Sequence, residues 1–111
     1  MIRIEIRRSE NRGIIGFKLS GHAQYDEPGK DIVCAGVTAV TFGTVNSIEA
    51  LLKLNLHPKT PKRGYLEVTI PDVPDERSGQ DLQLLLESMV CMLRGIESSY
   101  GKYVQLKEIH A

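Results

Sequence analysis

Ile2, Ile4 and Ile6 alternate with Arg3, Glu5 and Arg7 at the head of the chain, the period-two pattern of a half-buried strand over residues 1–8. Residues 9–13, with Asn11 among polar neighbours, read as a turn. Residues 13–20 form a second strand with Ile15, Phe17 and Leu19 on one face, and the two strands make a hairpin. The alternation then stops. Residues 21–30 (GHAQYDEPGK) hold two glycines and a proline without periodicity and read as a mobile loop. Asp31 opens a helical stretch reaching about residue 54, with no charged residue until Glu49. Such a helix is apolar all round and must be buried all round. One sheet covers one face only, so a second helix or a second subunit is expected to cover the rest.

Residues 56–63 (LHPKTPKR) are a loop broken by two prolines, and 64–70 a third strand with Leu66, Val68 and Ile70 on its apolar face. Ser78, followed three residues later by Asp81, resembles a helix start. The helix carries Leu82, Leu85, Leu86, Met89, Leu93, Ile96 and Tyr100 at three- and four-residue steps, with Gly101 as its stop. Residues 102–109 close the chain as a fourth strand with Val104 and Leu106 inward. The order β-β-α-β-α-β predicts one α+β domain over 1–111, two long helices packed on a four-stranded sheet in two layers.

Composition narrows the class. Lys plus Arg and Asp plus Glu number 14 each, so the basic excess of a phosphate-dependent nucleic-acid binder is missing and no direct nucleic-acid partner is expected. The opening strand pattern is not a secretory leader, and no run of about eighteen uninterrupted apolar residues suggests a membrane span. The chain therefore reads as cytoplasmic, with its two cysteines, Cys34 and Cys91, reduced.

Chemistry concentrates between Gly21 and Gly36. Cys34 falls in the first turn of the long helix, where unsatisfied N–H groups and the helix dipole favour a thiolate. His22 stands at the other lip of the same loop, and a loop of that length brings its ends together easily. A Cys–His pair is the minimum for nucleophilic acyl transfer, the imidazole taking the thiol proton and later giving it to the leaving amine. The N–H groups of Cys34 and Ala35 are candidate oxyanion donors. Asp31 either caps the helix or orients His22. Gly21 and Gly29 would let the loop move over a bound peptide, with Tyr25 either stacking on it or simply exposed.

The competing readings are plainer. A cysteine in an apolar helix is usually a small buried hydrophobe, and this reading is preferred for Cys91, mid-helix between Val90 and Met92. His57 belongs to a solvated turn and His110 to the chain end. No C-x-x-C or H-x-x-H spacing supports a metal site, and no cofactor is expected.

The segments Gly21–Ala23 (GHA) and Asp31–Val37 (DIVCAGV), with the loop between them, resemble the ribosomal-processing cysteine protease family Prp. The likeness extends over the opening hairpin, the uncharged first helix, the third strand and the leucine-rich second helix. The resemblance implies His22 and Cys34 as the catalytic pair and residues 21–31 as the mobile segment. It also implies a homodimer, and as substrate the N-terminal extension of large-subunit ribosomal protein number twenty-seven, cut after an aromatic residue. Thr38 stands where many relatives have serine. The alternatives are a non-catalytic ribosome-associated module that uses Lys59, Lys62 and Arg63, and a redox sensor pairing Cys34 with Cys91.

Overall fold

The computed structural model describes residues 1–27 and 31–110. Its elements run β1 (Ile2–Ser9), β2 (Gly13–Ser20), α1 (Ile32–Leu52), β3 (Tyr65–Thr69), α2 (Glu76–Ser99) and β4 (Val104–His110), the expected β-β-α-β-α-β order. The four strands form one mixed sheet in the order β3-β2-β1-β4, antiparallel except for the parallel pair β1/β4. Register aligns Ile4 with Leu19 and Leu106, and Leu19 with Leu66. These side chains share one face and join the apolar cluster with the inner residues of both helices. The other face carries Arg3, Glu5, Lys18, Glu67 and Lys107, which period-two alternation sets opposite the apolar positions.

One residue of the hairpin departs from the simple pattern. The register shifts between Arg7 and Arg8, so that Arg7 pairs with Gly16 while Arg8 pairs with Ile14. Ile15 is the extra residue of this bulge, and the shift turns Ile14 rather than Ile15 into the core. Where β3 has ended, Gln83 of α2 replaces it as partner: its Oε1 accepts from Ile14 N–H at 2.8 Å and its Nε2 donates to Ile14 O at 2.9 Å. Arg8, on the helix side after the bulge, bridges Glu87 of α2 at 2.6 Å and Glu108 of β4 at 2.5 Å. Glu97 of α2 accepts from Leu106 N–H at 2.6 Å and so occupies part of the open edge of β4.

Helix α1 buries Val33, Val37, Thr41, Val45 and Ile48 at three- and four-residue steps. The buried hydroxyl of Thr41 is satisfied within the helix by Val37 O at 2.8 Å. Among the described residues α1 is the one helix long and apolar enough to cross a membrane by length and composition; here its inner stripe lies in the core. Burial on all sides is not achieved within this chain. α2 covers one flank, while Ile32 and Leu51 are 58% and 69% exposed. Two further expectations are corrected. α2 starts at Glu76 with Asp75 as its cap, because the Asp75 carboxylate lies within reach of Ser78 N–H at 2.9 Å, which places Ser78 inside the first turn. Cys91 faces solvent rather than the core.

The topology decides what meets at one end of the sheet. β2 ends at Ser20, and α1 carries the chain away along the sheet over 21 residues. The segment after α1 returns beside β3, where Lys59 and Glu67 exchange both backbone hydrogen bonds, at 2.8 and 2.9 Å. β3 then begins at Tyr65, directly opposite Ser20. The end of β2, the start of α1 and the start of β3 therefore converge.

Replacing Gln83 by Ala leaves both backbone groups of Ile14 without their partner. The expected cost is about 1–3 kcal/mol of unfolding free energy, measured by urea denaturation, with the slope of the transition unchanged.

Candidate active site

Asp31 organises the start of α1. It is the N-cap residue, and its Oδ1 accepts from Val33 N–H at 3.0 Å and Cys34 N–H at 2.9 Å. Its Oδ2 accepts from Tyr25 N–H at 3.0 Å. Withdrawal from water opposes ionisation of this carboxyl, but the backbone N–H groups of Cys34, Tyr25 and Asp26, with the Cys34 thiol, outweigh it and hold the pKa below its ordinary value. Of the two roles open to Asp31, the cap is the one formed, and both oxygens are committed to backbone donors.

Cys34 is the third helical residue and partly buried. Its Sγ accepts from Ala23 N–H at 3.2 Å. Ala23 is itself buried, so the chain leaving β2 lies directly against the helix start. Gln24 follows with φ +57, a left-handed conformation that costs a non-glycine residue about 1–2 kcal/mol. It reverses the chain so that Tyr25 N–H reaches Asp31. Of the two expected oxyanion donors, Cys34 N–H is held by the Asp31 side chain in the uncomplexed chain, and Ala35 N–H closes the first helical turn on Asp31 O at 3.0 Å. Both donors are engaged.

His22 is exposed and lies over Gly64. A Cβ on Gly64 would meet His22 Cε1 and Nε2 at 2.7 Å each and Gly21 O at 3.0 Å, and φ there is +78. Gly21 N–H donates to Gly64 O at 3.0 Å, tying the two glycines together. Gly21 has φ +91, and a side chain there would collide with Met1 O. Glycine at 64 lets the histidine-bearing segment approach the start of β3 closely, and glycine at 21 lets that segment pass against Met1. No hydrogen bond joins His22 to Cys34 among the described residues; in uncomplexed sites such bonds are often long and tighten with substrate.

His22 and Cys34 line one open groove of about 1530 Å³, larger than the usual range of small-molecule pockets. Cys34, Ala35, Thr38, Ala39 and Phe42 of α1 form its floor. Gln24, Asp26 and Glu27 stand on one side, and Thr60, Lys62 and Arg63 on the returning segment. Tyr25 is not part of the lining. Its ring turns instead toward Tyr100 and Tyr103, with centroids at 5.7 and 5.1 Å. Gly29 lies outside the described residues. Gly64, Ala23 and the tyrosine pair were not assigned roles from sequence. Gly64 carried a weak signal, a glycine just before a strand; the others carried none.

Thiol-dependent acyl transfer calls for a thiol and an imidazole that face one substrate site, and this groove is lined by both. The comparisons with known proteins agree. Residues 1–105 match the family model described as cysteine protease Prp. The ribosomal processing cysteine protease Prp of Bacillus subtilis is 43% identical over 101 residues, 90% of each chain. The crystal structure of Staphylococcus aureus ribosomal processing protease Prp in complex with a covalently linked product peptide superposes with a TM-score of 0.77 at 31% identity, covering 97% of this chain and 99% of that one. The same protease with a substrate peptide gives a TM-score of 0.78 at 29% identity, with the same coverage. This protein belongs to the Prp family of cysteine proteases.

Gly64→Ala pushes the imidazole off its seat. The expected result is a fall in kcat/KM for peptide cleavage of about 10²-fold, the scale of a 1 Å misplacement, measured by steady-state kinetics alongside the thermal midpoint.

Proposed function

We propose that this protein is a cytoplasmic cysteine endopeptidase that removes the N-terminal extension of large-subunit ribosomal protein number twenty-seven, with Cys34 as nucleophile and His22 as acid–base partner. The observation that carries the reading is the shared groove: Cys34 Sγ, held by Ala23 N–H at 3.2 Å, and His22 both line it. His22 takes the thiol proton as sulfur attacks the scissile carbonyl, forming the S–C bond and a tetrahedral oxyanion. The oxyanion collapses, the C–N bond breaks, and the imidazolium gives its proton to the leaving amine. The thioester left on Cys34 is hydrolysed by a water from which His22 removes a proton. The second tetrahedral intermediate collapses, the C–S bond breaks and the carboxyl product leaves, while the imidazolium returns its proton to the Cys34 sulfur and restores the thiol.

Several features support a peptide substrate. The groove is large and open, and Ala35, Ala39 and Phe42 give it an apolar lining suited to an aromatic side chain before the cut. Lys62 and Arg63, the basis of a rival binding surface, line this same groove with His22 rather than a separate face. A homodimer is part of the proposal, because Ile32 and Leu51 on α1 and Leu84 and Met92 on α2 are large apolar side chains left exposed.

The test is cleavage of a synthetic peptide spanning the extension and the first mature residues. The wild-type chain is expected to cut it once, and Cys34→Ala to lose at least about 10³-fold in kcat while still binding the peptide. Undiminished cleavage by Cys34→Ala contradicts the assignment. Cellular function that survives Cys34→Ala but is lost on charge reversal at Lys62 and Arg63 would establish the binding module instead.

A further inference from the structure

Tyr25 is three residues beyond His22, and its ring faces away from the groove that its neighbours Gln24 and Asp26 line. It meets Tyr100 and Tyr103 edge-to-face, with interplanar angles of 90° and 81°. Neither of these residues lines the groove. Both belong to the connection between α2 and β4, which backbone hydrogen bonds hold on two sides. Tyr100 N–H donates to Ile96 O at 2.8 Å, Tyr103 N–H to Tyr100 O at 2.9 Å, and Ile2 N–H to Tyr103 O at 2.8 Å. The two rings thus form a fixed platform joined to α2 and to β1.

The segment that this platform meets is strained. Gln24 is left-handed with φ +57, and a non-glycine residue stays there only when its surroundings over-determine it. On one side of Gln24, Ala23 N–H points at Cys34 Sγ; on the other, Tyr25 N–H points at the Asp31 carboxylate. Both hydrogen bonds are made with Gln24 in this left-handed conformation. Besides the Ala23 side chain, which is buried in the core, the edge-to-face contacts attach this turn through a side chain at a place outside the groove.

We propose that Tyr100 and Tyr103 are positioning residues for the nucleophile: clasping Tyr25, they hold the left-handed turn at Gln24 and so keep Ala23 N–H on Cys34 Sγ. A hydrogen bond donated to sulfur favours the thiolate over the thiol, so the clasp sets the reactivity of Cys34 without touching substrate. Tyr25 is 41% exposed, which makes its removal a small loss of packing and separates positioning from core stability. The proposal rests on Cys34 being the nucleophile, and alkylation by iodoacetamide reads that thiol without any peptide.

In full-length chain with Cys91→Ser, Tyr25→Ser is expected to slow alkylation of Cys34 at neutral pH by about tenfold and to move its pH profile upward. Peptide cleavage should lose kcat with little change in KM. Tyr103→Leu gives an independent read of the same effect, and Tyr100→Phe and Tyr103→Phe, which keep the rings, should alkylate within about twofold of the parent. Alkylation of Tyr25→Ser and Tyr103→Leu at the parent's rate would overturn the clasp, whatever happens to thermal stability. Ring-dependent alkylation in a chain that cuts no peptide would sink the protease reading and leave the clasp standing.

Discussion

The Asp31 carboxylate is the point from which the site is built. One oxygen takes the N–H groups of Val33 and Cys34, the other that of Tyr25. A single side chain thereby starts α1, fixes the backbone of Cys34 and brings back the chain that has just left β2. The lowered pKa extends the charge of this anion to more acidic pH than an ordinary aspartate keeps it. Cys34 and His22 are 12 positions apart, and it is this return of the loop onto Asp31 that lets them share one groove.

The rest of the fold serves that junction. The sheet must be apolar on one face only, so both helices sit together on it and α1 begins beside the end of β2. The long excursion of α1 would carry the chain away from the site, but the segment running back beside β3 delivers Lys62, Arg63 and Gly64 to the same end. Gly64 then provides the surface on which His22 rests. On the far side, Arg8, Glu87, Arg94, Glu97 and Glu108 tie α2 to β1 and β4. That attachment fixes the α2–β4 connection carrying Tyr100 and Tyr103.

Much of this was legible in the order of residues. Period two marked the strands, the three- and four-residue spacing marked α2, and the Asp31–Cys34 spacing placed the cysteine in a first turn. What failed did so for physical reasons. The bulge at Arg7 and Arg8 reversed the faces of Ile14 and Ile15, and a bulge leaves no signature in alternation alone. Asp75 outcompeted Ser78 because either residue suits an N-cap, and only the backbone decides which one lies at the boundary. The uncharged composition of α1 predicted burial on every side, but composition does not say how much of that cover this chain itself provides. Sequence alone leaves Tyr25 facing substrate or solvent, because its partners lie about 75 residues away and spacing carries no information about such contacts.

The claim on which everything functional depends is that His22 activates Cys34. Site-resolved alkylation by iodoacetamide across pH, in wild-type protein and in His22→Ala, tests it directly. Cys91 serves as an internal control, because it is exposed whereas Cys34 is partly buried. Accessibility alone would make Cys91 the faster thiol. The account predicts the opposite near neutral pH, with the advantage of Cys34 lost in His22→Ala. Slower labelling of Cys34 than of Cys91 in the wild type, unchanged by His22→Ala, would contradict it.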